Sequence, residues 1–190
     1  MTQKPSPLRP FGVLVILTII LLMALMGCSV PESGEICSPE RTNLVYEAAR
    51  KRGFEAYNNL ESAQQCSRVN GKPILLVFTG WAFLSDQALP WKVLEDTEIK
   101  DRVKNDFLLV TLYVDDKSKI PNPQNPNDSI TWGESNLKFQ VERFQTNVNP
   151  LFVLLNSELE PIGEVKGYTP IEERESFLRF LDQVSTVEEK

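Results

Sequence analysis

The chain has 190 residues, with 20 basic and 26 acidic side chains, no histidine and a formal net charge of −6. That length is about one domain's worth. The acidic balance argues against nucleic acid and against an electrostatic hold on anionic lipid. The absence of histidine removes any Ser-His-Asp relay and, with three dispersed cysteines, leaves only carboxylate oxygen sites for a metal.

The first 27 residues stand apart. Lys4 and Arg9 precede a run from Phe11 to Gly27 that is apolar except for Thr18, which is the layout of a signal peptide. The sequence Leu25-Met26-Gly27-Cys28 then resembles the lipobox of bacterial lipoproteins. Leu25, Gly27 and Cys28 fit, and Met26 departs, since a smaller residue is usual there. The resemblance implies cleavage before Cys28 and acylation of its sulfur, making residues 1–27 a lipoprotein signal peptide. The rest is then anchored to a membrane by lipid, on the extracytoplasmic side of a bacterial cell envelope. Ser29 rather than Asp after the cysteine implies, by likeness to enteric lipoproteins, the outer membrane. The alternative is an uncleaved anchor helix with an incidental cysteine, although about 17 residues is the lower limit for spanning a bilayer. Without residues 1–27 the chain carries 18 basic and 26 acidic residues, a charge near −8.

Residues 28–42 are rich in Pro, Ser and Glu and read as a flexible tether, leaving 43–190 as the domain. Two cysteines remain, Cys37 and Cys66. In an oxidising envelope they would close a loop of 29 residues, worth roughly 3–4 kcal/mol in chain entropy. Alternatively, Cys66 is a small buried apolar residue and Cys37 a loose thiol.

Along the domain, Asn43 to Arg52 reads as a short helix with Leu44, Val45, Ala48 and Ala49 on one face, stopped by Gly53. Phe54 to Tyr57 suits a short strand. Asn58 followed by Glu61 resembles a capping box, and Leu60, Ala63, Cys66 and Val69 share one helical face, so Cys66 is expected to point inward. Pro73 to Phe78 is a buried strand. A helix is expected from near Asp86, with Leu89, Val93 and Leu94 inward and Pro90 a kink or boundary. Asp96 caps a second helix with Ile99 and Val103 inward. Residues 106–116, near-continuously apolar, form another strand covered on both faces. The Pro- and Asn-rich stretch 117–133 reads as a long surface loop. Leu137, Phe139, Val141 and Phe144 sit on a helix. Phe152–Leu155 and Ile162–Val165 form an antiparallel hairpin around a turn at 156–160. Thr169 caps a last helix, with Pro170 at its first position and Phe177, Leu178, Leu181 and Val184 inward. This alternation implies an α/β fold in one domain, a central mixed sheet flanked by helices.

Three segments carry a resemblance: GKPILLVFTGWA (71–82), LLVTLYVDD (108–116) and NPLFVLL (149–155). From about Asn58 to Val184 the chain resembles the thioredoxin-like superfamily, closest to the C-terminal domain of DsbD-type thiol:disulfide interchange proteins. In that family the strand ending Thr-Gly-Trp-Ala is followed at once by Cys-x-x-Cys, and Leu89 matches the apolar residue three positions on. The resemblance implies a cis peptide at Asn149–Pro150, beside the redox pair. The break falls at that pair. Aligned through Trp81-Ala82, the cysteine positions hold Phe83 and Asp86, with Leu84 and Ser85 between. Exchange needs a thiolate to attack and a second thiol to resolve, and these residues supply neither. Ser85 or Asp86 reads as a helix cap, and a Ser–Lys pairing of Ser85 with Lys92 has no further mark. Asp115-Asp116 and the stretch 125–128 read as strand-end and turn residues, not a metal site, and no cofactor is implied.

Three functions follow as expectations. The first is a redox-inactive envelope lipoprotein that binds a polypeptide through a groove of Trp81, Phe83, Leu84, Ser85, Val148, Asn149 and Pro150. In it Phe83 is either an exposed anchor or an inward filler of the space the sulfurs left. The second is a thiol–disulfide oxidoreductase or redox accessory acting through Cys37 and Cys66. The third is a structural envelope lipoprotein.

Overall fold

The apolar runs around Leu75 and Leu109 are continuous because both faces of the strands they form are covered. In the computed structural model, residues 37–81, 89–167 and 173–186 are described. They belong to one compact unit, residues 33–190. Helix α1 (Leu44–Lys51) is followed by β1 (Ala56–Tyr57), α2 (Leu60–Asn70), β2 (Ile74–Thr79), α3 (Leu89–Leu94), α4 (Thr97–Asp106) and β3 (Leu108–Tyr113). A hairpin of β4 (Lys119–Asn122) and β5 (Asn125–Thr131) leads into α5 (Trp132–Phe144), β6 (Leu151–Leu155) and α6 (Arg174–Leu181), which ends in a 3-10 turn, Asp182–Thr186. Among these residues no helix is long and apolar enough to cross a membrane. The apolar run Phe11–Gly27, Cys28, Thr169 and Pro170 lie outside them.

The sheet order is β1-β3-β2-β6. Strands β1, β3 and β2 are parallel, and β6 runs antiparallel to β2. Because alternate side chains of a strand face opposite ways, the sheet has two cores. Leu75, Val77 and Leu109 face one side with Phe152 and Leu154, against Trp91, Val93 and Leu94 of α3, Ile99 and Val103 of α4, and Phe177 and Leu181 of α6. Ile74, Leu76, Phe78, Val110 and Leu112 face the other with Leu151 and Val153, against Ala63 and Cys66 of α2 and the partly buried Phe139 and Phe144 of α5. Each such side chain contributes roughly 1.5–3 kcal/mol by leaving water. The α/β architecture expected from the sequence, a central mixed sheet flanked by helices, is the one observed.

Local polar chemistry sets the helix ends. The Asn43 side chain accepts from the Tyr46 N–H, and Asp96 accepts from the amides of Glu98 and Ile99. Thr131 and Glu134 form a capping box on α5. Gly71 closes α2 in the left-handed region, at φ 74°.

Several expectations need correction. The cap of α2 is Asn59, not Asn58, because its side-chain Oδ1 accepts from the amides of Glu61 and Ser62. On α1, Leu44 is 74% exposed and Tyr46 is buried with Val45 and Ala49, so the inner face is turned from the one expected. Val69 is exposed at the end of α2. Trp91 is buried beside Val93 and Leu94, and its ring lies under the Arg52 guanidinium at 5.4 Å. On α5, Leu137 and Val141 are exposed while Gln140 is buried.

Residues 117–133 are not a loop. Ile120 pairs with Ile130 and Lys119 with Thr131. Each strand of this ribbon is an edge, so Pro121 and Pro126 interrupt no central ladder. The hairpin's base is tied back to β3, where the Gly133 N–H donates to the Asp116 carbonyl at 2.9 Å. A Cβ on Gly133 would stand 2.7 Å from the Asp116 nitrogen and 2.8 Å from the Val114 oxygen, so only glycine permits this approach. The return segment after β6 is also shorter than a strand. It makes two isolated antiparallel bridges, Leu155 with Pro161 and Phe152 with Lys166. Gly163 between them sits at φ 67°, which breaks the extended backbone.

Candidate functional site

Three segments meet at the carboxyl end of β2. The β2–β3 register sets Thr79 beside Tyr113, and the Val114 N–H donates to the Thr79 carbonyl at 2.8 Å. The β2–β6 register sets Phe78 opposite Leu151, which brings Pro150 alongside Thr79. The Asn149–Pro150 peptide is cis, as the resemblance implies. Strand pairing alone therefore gathers residues 79–81, 113–115 and 148–150.

Polar contacts then fix the turn. The Trp81 N–H donates to Asp115 Oδ1 at 2.8 Å. The same carboxylate packs on Gly80, where an added Cβ would lie 3.0 Å from Oδ2. The indole of Trp81 stacks on the Tyr113 ring, with centroids 3.8 Å apart and planes 15° from parallel. Tyr113 is buried, and burial pushes its phenol well above the ordinary range; Arg52 opposes the push and Asp115 adds to it. It is therefore a neutral platform for the indole.

On the Val148 side of this end of the sheet, buried Gln140 of α5 donates from Nε2 to the Val148 carbonyl at 2.7 Å. Asn136 of the same helix donates to the Tyr113 carbonyl at 3.0 Å. Helix α5 thus clamps both flanking segments. Pro150 is buried, Asn149 and Trp81 are half-buried, and Val148 is 48% exposed. Trp132, at the start of α5, is 44% exposed. The Asn149 Oδ1 atom is buried with no hydrogen-bond partner among the described residues.

Of the residues singled out in the sequence, Trp81, Val148, Asn149 and Pro150 lie around this end of the sheet. Phe83, Leu84, Ser85 and Asp86 lie outside the described residues, and Lys92 is exposed on α3. Asp115 is the acceptor that fixes Trp81, and Asp116 Oδ1 accepts from the Ser118 N–H. Among the described residues no group of three His, Cys, Asp or Glu side chains is placed to hold a metal ion. Tyr113, Gln140, Asn136 and Trp132 also lie at this site and are not among the site residues expected from the sequence. Tyr113 and Asp115 carried a signal, standing at the carboxyl end of the second long apolar strand. A glutamine on an amphipathic helix carried none.

The two domain cysteines lie at the opposite end of β2. Cys37 and Cys66 form a disulfide. Cys66 is fully buried on α2, and Asn70 Nδ2 donates to its sulfur at 3.3 Å. The next residue, Ser67, donates to the Lys72 carbonyl, just before β2 begins. The disulfide therefore lies toward the amino end of β2, and the Trp81 turn follows its carboxyl end.

A family model described as a thioredoxin-like domain matches residues 60–182. Among solved structures, the chain is similar to the solution structure of a thioredoxin from Thermus thermophilus, with 22% identity, 68% of this chain and 85% of that chain covered, and a TM-score of 0.47. It is also similar to a DsbH oxidoreductase, with 19% identity, 62% and 73% covered, and a TM-score of 0.40. No curated protein matches the sequence.

The disulfide closes a loop across 29 positions, so its removal releases denatured-state entropy. The double substitution Cys37→Ser, Cys66→Ala is expected to lower unfolding free energy by roughly 2–4 kcal/mol in urea titrations. Stability equal to the oxidised wild type would contradict a structural role for the bridge.

Proposed function

The chain belongs to the thioredoxin-like domain family, and we propose that its domain is a redox-inactive, polypeptide-binding member held on a bacterial envelope membrane by lipid on Cys28. By the motifs at 71–82, 108–116 and 149–155 we place it nearest the C-terminal domain of DsbD-type proteins. One observation carries the reading: Trp81, Val148 and cis-Pro150 surround the carboxyl end of β2, while both domain cysteines are bonded to each other toward the amino end of that strand. Phe83 and Asp86, by alignment, stand where the family carries its reactive sulfurs.

The groove supplies binding without exchange. Val148 presents apolar surface, and the Trp81–Tyr113 stack gives a rigid aromatic floor at low entropic cost. An aromatic at position 83 adds apolar area, worth roughly 1.5–3 kcal/mol if a partner buries it. No thiolate is available here to attack a partner's disulfide. We read the Cys37–Cys66 bridge as a staple, since Cys66 is fully buried.

The test uses a reduced, carboxymethylated unfolded polypeptide as the partner. Val148→Glu should weaken its binding at least about tenfold, ~1.4 kcal/mol, with the melting temperature unchanged. Phe83→Ser should do the same if that ring faces the partner, and should lower the melting temperature if it faces the core. Insulin reduction should not exceed that of free dithiol. Undiminished binding by Val148→Glu, or insulin turnover well above the free dithiol rate, would refute the reading.

The anchor is tested separately. Fatty-acid labelling in a bacterial host should disappear in Cys28→Ala. Labelling that survives this substitution would leave the basic–apolar–cysteine layout without its proposed meaning.

A further inference from the structure

A second concavity lies at the amino ends of β2 and β3, away from the groove. Its volume is about 630 Å³, within the range of sites that enclose a small organic molecule. Part of its lining is aromatic, from the buried Phe54, Tyr57 and Phe107. Burial, reinforced by Glu55, holds the Tyr57 phenol above its ordinary value, so it stays a neutral hydroxyl. Cys37 and Cys66 form part of the wall, and their bridge ties the segment from residue 37 to α2.

The charged lining is unequal. Arg50, Lys72 and Lys104 contribute cations, and Glu55 is the one carboxylate. Arg50 is paired with Glu47 at 3.1 Å, and Glu55 lies 4.0 Å from Arg41. Lys72 and Lys104 have no ion-pair partner among the described residues. Two lysines with no ion pair among the described residues, both lining one cavity, run against the charge of a chain whose net is −6. A concavity with an excess of one sign of charge favours ligands of the other.

We propose that this cavity binds a small amphipathic anion. An aromatic or short aliphatic body would pack against Phe54, Tyr57 and Phe107. A carboxylate, sulfonate or phosphate would be held by Lys72 and Lys104, whose compact ammonium groups suit a point-charge contact. The site is independent of the groove: it shares no residue with Trp81, Val148 or Pro150.

The probe for the test is benzophenone-4-carboxylate, an aromatic carboxylate that crosslinks on irradiation. It is applied to the full chain in phospholipid nanodiscs, and adducts are mapped by mass spectrometry. Adducts are expected on the peptides around residues 46–57 and 103–109. Their yield should fall at least about tenfold in the double variant Lys72→Glu, Lys104→Glu, and should be unchanged in Lys138→Glu, a cation on α5. The pair Lys72→Gln, Lys104→Gln, checked for an unchanged melting temperature, repeats the test without charge reversal. Neutral benzophenone should label these peptides at least about tenfold less. Adducts elsewhere, a yield unaffected by removing the two lysines, or equal labelling by the neutral probe would overturn the proposal.

Discussion

The pairing of β2 with β3 on one edge and β6 on the other holds the rest of the structure in place. Six buried residues, Ile74–Thr79, are registered against Leu108–Tyr113 and five of them against Leu151–Leu155. A slip of one residue in either ladder would turn every core side chain to the wrong face. The same registers deliver Trp81, Asp115 and Pro150 to one end of the sheet and the Cys66–Lys72 region to the other. The geometry at the carboxyl end of β2 is thus a by-product of core packing.

The two ends then do different work. At the carboxyl end, an Asp115 carboxylate, a Tyr113 platform and two side-chain amides from α5 hold a turn and a cis-proline segment rigid. These contacts position backbone and apolar surface, and no cysteine is among the described residues at this end. At the amino end, the Cys37–Cys66 bridge and its hydrogen bond from Asn70 secure the segment preceding α1. A buried half-cystine on an inward helix face favours a constraint on the unfolded chain over a reactive pair.

Much of this was legible in the sequence because it rests on local pattern. Continuous apolar runs marked β2, β3 and β6, and Asp96 and Gly71 marked helix ends where expected. The inward position of Cys66 followed from its spacing with Ala63. What was not legible depended on distant partners. Proline and asparagine density hid the β4–β5 hairpin, whose pairing rests on Ile120 and Ile130 with few other apolar residues. Gln140 reads as a solvent-facing residue until its amide meets the Val148 carbonyl. Leu44 and Val69 looked like core by spacing, but each sits near a helix end and is exposed among the described residues. That residues 83 to 86 hold no cysteine was legible in the sequence itself.

The most direct measurement of the central claim is an amide and indole nuclear magnetic resonance titration of the chain with a reduced, carboxymethylated unfolded polypeptide. The three tryptophans divide the molecule: Trp81 and Trp132 lie at the carboxyl end of the sheet, and Trp91 is buried in the opposite core. The account predicts saturable shifts of the Trp81 and Trp132 indole signals and of the amides of Val148, Asn149 and Leu151, with the Trp91 indole unmoved. Shifts absent from these signals, or confined to the Trp91 side of the sheet, would contradict it.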